Sequence, residues 1–151
     1  MSEERYIEVY RQHRESQRQY VYFLLAAAAA AIAFSVDQTK TAVLSWAHTP
    51  LAVGVVCWGG SFFCGCRHLV YLQSNLYANF ELLRVQQGQH PVAGRHPDMI
   101  QAASEGIMEA IEGNSKVSER YARYQFRLLI AGAVCFIIWH IIQICLRAPQ
   151  I

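Results

Sequence analysis

The chain has 151 residues, 54% hydrophobic and 16% charged, with a formal net charge of +2. That charge is small and well mixed with acids, which excludes a one-sided nucleic-acid surface. The length suits a single unit, residues 1–151, but the charges lie in blocks, whereas a soluble helical protein interleaves them at helical period.

Three stretches, residues 20–36, 41–66 and 128–146, contain no Asp, Glu, Lys or Arg. The segments before the first and between the second and third hold 11 of the 13 Lys and Arg, leaving Lys40 in the first loop and Arg147 in the tail. A charge in hydrocarbon is costly, and Lys and Arg gather on the cytoplasmic side. The expectation is an all-α membrane protein with three transmembrane helices, whose helical extensions form a cytoplasmic stalk or hairpin. It would sit in the cell membrane (the inner membrane if the source is Gram-negative), N-terminus cytoplasmic and C-terminus outside.

Residues 1–19 are predicted to form a cytoplasmic amphipathic helix, with Tyr6, Val9, Tyr10, His13, Gln17 and Tyr20 along one face. Glu3, Glu4, Glu8 and Glu15 accompany Arg5, Arg11, Arg14 and Arg18. Those acids weaken a lipid-binding reading of the arginines, and they also argue against a cleaved signal peptide, whose leading segment is short and basic. With no Pro or Gly before it, this helix should continue into the first span, residues 20–36. The alanine run there allows close helix packing, or it is merely compositional.

Asp37 to Lys40 are expected to form a short polar turn. Thr49 is expected to cap the second span, residues 50–66, with Pro50 at the first helical position. Gly59-Gly60 is the candidate kink. Beyond the span, Leu69, Leu72, Leu76, Asn79, Leu83 and Gln86 fit a heptad seam, and Gly88, Pro91 and Gly94 break the chain. From Pro97 a second seam runs through Ile100, Ala103, Ile107, Ala110, Asn114, Val117, Tyr121, Tyr124 and Leu128 into the third span, residues 128–146. Residues 67–127 therefore predict a cytoplasmic helical hairpin on the order of 30 Å long. The N-terminal helix is expected as its third member.

No catalytic, metal-binding or cofactor-binding arrangement stands out: no nucleotide loop, no nucleophile with its base, no paired carboxylates in a span. His48 and His140 are a candidate pair of haem or metal ligands, but no second motif supports them. His140 and Gln143 share a helix face in the third span and form the candidate pore or interhelical polar face. The dull alternative is a histidine bonded to a neighbouring helix. His90, Arg95 and His96 form a candidate interaction tip, or a solvated turn. Cys64 and Cys66, beside Arg67 and His68, are candidate reactive thiols, or small residues packing at a span end. A disulfide framework is not expected, since the pair faces a reducing compartment.

The expected function is non-enzymatic: an accessory or scaffold subunit that docks a partner through its cytoplasmic hairpin. The alternative is a self-assembling pore or membrane-perturbing effector. Expected partners are the lipid bilayer and either further copies of the chain or a membrane-complex partner.

Overall fold

A computed structural model describes residues 3–40, 45–91 and 96–147. Its secondary structure there is helical throughout: α1 (Glu3–Thr39), a 3-10 turn at Trp46–His48, α2 (Thr49–Gln86) and α3 (Pro97–Arg147). All three long helices carry windows long and apolar enough to cross a membrane.

The expected continuity of the first helix holds, since α1 runs unbroken from Glu3 to Thr39. Its end lies later than expected. Asp37, Gln38 and Thr39 stay helical, and Thr39 Oγ1 bonds the carbonyls of Ser35 and Val36 at 3.0 and 3.2 Å. The capping role given to Thr49 is wrong. Its φ of −56° and ψ of −45° are already helical, because the preceding 3-10 turn feeds straight into α2. Gly59-Gly60 does not interrupt α2.

The end of α2 follows from Gly88. Its φ of 66° suits a residue without a Cβ. Gly88 N–H bonds the Val85 carbonyl at 3.0 Å and Gln89 N–H the Arg84 carbonyl at 2.9 Å, the Schellman arrangement. α3 opens with Pro97, whose missing N–H costs nothing at a helix start.

The chain divides into two compact units, Met1–Gly65 with Tyr124–Ile151, and Cys66–Arg123. In the first, three helices alternate in direction. Their buried positions recur at three- and four-residue steps: Val21, Leu24, Ala28 and Ser35 on α1, Leu51, Gly54, Trp58, Ser61 and Gly65 on α2. On α3 the interior positions are Gln125, Gly132 and Trp139, each seven residues from the last. This interior is small and polar for an apolar unit. Ser61 Oγ donates to the Gln125 carbonyl at 2.7 Å, and Trp58 Nε1 to the Leu129 carbonyl at 3.2 Å. Small residues bring the backbones close: a Cβ on Gly132 would lie 2.5 Å from Trp58 Nε1. The alanine run is only partly interior. Ala28 is buried, but Ala26, Ala29, Ala30 and Ala33 are exposed.

The second unit is a two-helix hairpin of α2 and α3. The N-terminal helix, expected as a third member, clusters instead with the first unit.

Candidate functional site

The hairpin holds together along an unexpected face of α2. His68 Nδ1 lies 3.0 Å from the Ser118 carbonyl and 2.9 Å from Ser118 Oγ. Tyr71 stacks on Tyr121 with ring centroids 5.8 Å apart. Asn75 Nδ2 donates to Ser115 Oγ at 3.0 Å. Asn114 Nδ2 donates to Ser74 Oγ at 3.4 Å. Val85 is fully buried, with Ala78 and Leu82 half-buried above it. The series His68, Tyr71, Asn75, Ala78, Leu82 and Val85 is the expected leucine seam displaced by one residue throughout. One residue turns a helix by about 100°.

The leucines therefore lie elsewhere. Leu76 is 50% exposed, Phe80 57% and Leu83 55%. Leu69 and Leu72 lie half-buried on the same stripe. At about 3.6 residues per turn this stripe lies about 100° around α2 from Tyr71, Asn75 and Leu82. Outside its apolar stretch α2 thus has two faces, one joined to α3 by polar contacts and one apolar, half-buried at Leu69 and Leu72 and exposed among the described residues at Leu76, Phe80 and Leu83.

The α3 seam is shifted only at alternate positions. Ile100, Ile107, Asn114, Tyr121 and Leu128 are half-buried as expected, but Ala110 and Tyr124 are exposed while Ser118 and Gln125 are buried. Polar residues occupy the interior places that a hydrophobic pattern assigns to their neighbours.

The other candidate residues are dispersed. His140 is exposed and stacks on Phe136 at 6.3 Å, while Gln143 is half-buried. The interior of α3 at that level is Trp139, so His140 lies off the three-helix core. His48 and His140 each contact the Trp139 ring, at 6.3 and 6.4 Å, and His48 Nδ1 is 3.0 Å from Ser45 Oγ. An open cavity of about 470 Å³ adjoins His48, lined by Ser45, Trp46, Thr49 and Ala52. Among the described residues no three His, Cys, Asp or Glu side chains gather as a metal site. Cys64 is half-buried and Cys66 exposed, both with free thiols. Two residues apart on one helix, they do not face a common point. At the hairpin tip His96 is exposed and His90 half-buried, while Arg95 lies outside the described residues.

Sequence reasoning named Arg67, just beyond the second apolar stretch, only as a neighbour of Cys64 and Cys66. Arg67 lies over the Tyr71 ring at 5.3 Å and the Tyr121 ring at 5.9 Å, and its Nη2 donates to Tyr71 Oη at 3.2 Å. Hydrogen bonds with Tyr121 and Tyr71 hold its pKa above the usual arginine value, so the charge persists. The signal was present as Arg67-x-x-x-Tyr71, but the pairing with Tyr121 is tertiary. Comparison with protein-family models, with curated proteins and with solved structures finds no match for this chain.

Proposed function

We propose that this chain is a three-span membrane protein of non-enzymatic type, an accessory or scaffold subunit whose cytoplasmic hairpin docks a helix of a partner membrane protein. The observation that carries this reading is the apolar stripe that is half-buried at Leu69 and Leu72 and exposed at Leu76, Phe80 and Leu83. Hydrocarbon covers exposed apolar residues within the spans. The stripe lies past the apolar stretch, where the surroundings are aqueous. A two-helix hairpin buries little area for its size, and a stripe at three- and four-residue steps matches the groove of a third helix. The charge asymmetry across the three stretches supports placing this hairpin, and the N-terminus, in the cytoplasm.

A photo-crosslinking residue placed at Leu76 or Phe80 in cells tests the reading. The expected result is an adduct with one other polypeptide, absent when the probe replaces exposed Glu109 and lost on Leu83→Asp. An adduct made of two copies of this chain favours the self-assembling alternative. No adduct from either position sinks the docking role.

A further inference from the structure

The exposed aromatic residues of the first unit are not spread evenly along its helices. Tyr22 and Phe23 on α1, Phe62 and Phe63 on α2, and Tyr124 and Phe126 on α3 are all exposed. The three helices share a level there, because a Cβ on Gly65 would touch both Leu25 and Gln125. Each of the six aromatics lies within three residues of one of those positions, which is about 5 Å along a helix. Each is also one or two residues from an interior position, Val21, Leu24, Ser61, Gly65 or Gln125. Such a step turns a helix by about 100° or 200°, so the rings point outward. Together they surround the unit at one level instead of forming a patch on one helix.

The surface changes character at this level. The charge-free stretches meet charged sequence close by, beginning or ending at residues 20, 66 and 128. Toward the outer end, the exposed large hydrophobic side chains of the unit, among the described residues, are aliphatic apart from Phe34 and Trp46. Hydrocarbon suits those aliphatic side chains. Tyr22 and Tyr124 have an apolar body and a hydroxyl that needs water or a headgroup, and aromatic rings gather at the membrane–water boundary. A partner helix would cover one side of the bundle. Rings facing outward from all three helices call for a surrounding medium.

We infer that these six residues form an interfacial belt, the surface by which the unit seats in the headgroup–acyl boundary of the cytoplasmic leaflet. The belt sets the depth of the unit, so that α2 leaves the hydrocarbon near Gly65 and α3 enters it near Gln125. It rests on the three-span reading but not on partner docking, since none of its residues belongs to the leucine stripe.

The test uses the full chain in phosphatidylcholine nanodiscs, with Phe63 or Phe126 replaced by trifluoromethylphenylalanine. Fluorine relaxation is read with nitroxide lipids labelled near the headgroup or at the end of the acyl chain, and with a water-soluble nickel chelate. Broadening mainly by the shallow lipid label is expected at both positions, and mainly by the deep label at a control position, Ile137. Broadening mainly by the deep label at Phe63 and Phe126 overturns the belt. Broadening there by the chelate alone puts the rings in water, and broadening by no agent means that another polypeptide covers them; either result overturns the belt. Tyr22→Leu/Tyr124→Leu keeps apolar bulk and removes both hydroxyls. With circular dichroism unchanged, it should reduce the preference for the shallow label at Phe63, and an unchanged preference overturns the depth-setting role. A control at Ile137 reached by the chelate and by neither lipid label would instead overturn the three-span reading.

Discussion

Gly65 is the position where all three helices of the first unit meet. A Cβ there would lie 2.5 Å from Gln125 Nε2 and 2.7 Å from Leu25 Cδ2. Both neighbours are crowded, so Gly65→Ala should destabilise by about 1–3 kcal/mol through overpacking, seen as a lower thermal midpoint in detergent. Gln125→Ala in the same chain should recover part of the loss, since it removes the nearer obstacle; additive losses would contradict this packing. Gln125 is itself 1% exposed, and its Nε2 has no hydrogen-bond partner among the described residues. A buried unpaired donor is costly, so Gln125→Met, similar in length and without the amide, should be neutral or stabilising by about 1 kcal/mol. A large loss in that variant would mean the amide has a partner after all. None of this was visible in the chain, where Gln125 sits among Tyr124, Phe126 and Arg127 and resembles an exposed boundary residue.

At the scale of the element, α2 shows where pattern reading works and where it fails. Its end was legible, because Gly88 supplies the positive φ that closes the helix. Its orientation was not. Leucines at heptad spacing attract the assignment of an interior face, whereas α3 is joined through His68, Tyr71 and Asn75. Polar interhelical pairs have no hydrophobic period. Ser118→Ala removes the hydroxyl beside His68 and should cost the hairpin about 1 kcal/mol, measured as faster amide exchange in residues 66–123 than in the first unit. The Glu112–Lys116 pair on α3 adds a weak pH dependence. Lys116 lowers the Glu112 pKa, and Glu112 raises that of Lys116. The carboxylate's contribution is present above its unfolded pKa and fades as pH falls through the lower folded value. The lysine's is present below its unfolded pKa and fades as pH rises through the higher folded one. Both groups are solvent-exposed, so Glu112→Gln should flatten this dependence only slightly, and high salt should abolish the difference.

At the scale of the whole molecule, three helices are long and apolar enough to span a bilayer. The most apolar window of α3 is only 11% buried within the chain, which suits a helix covered by lipid rather than by protein. The free thiols offer a topology test, since Cys66 and Cys145 are exposed at the C-terminal ends of apolar stretches that run in opposite directions. In intact cells a membrane-impermeant maleimide should label a variant retaining only Cys145. A variant retaining only Cys66 should react only after the membrane is opened. The reverse pattern would invert the proposed orientation.

The sequence alone determined the number of apolar helices, their continuity into polar extensions and most of their ends. These depend on composition, on Pro and Gly, and on local hydrogen bonds, all carried by neighbouring residues. Only the tertiary structure decided which side of each helix is interior. A displacement by one residue turns a face by about 100° while leaving every local preference satisfied. That choice is made by contacts such as Ser61 with Gln125 and Tyr71 with Tyr121, between residues roughly 50 or more positions apart, and it is what leaves Leu76, Phe80 and Leu83 of α2 exposed.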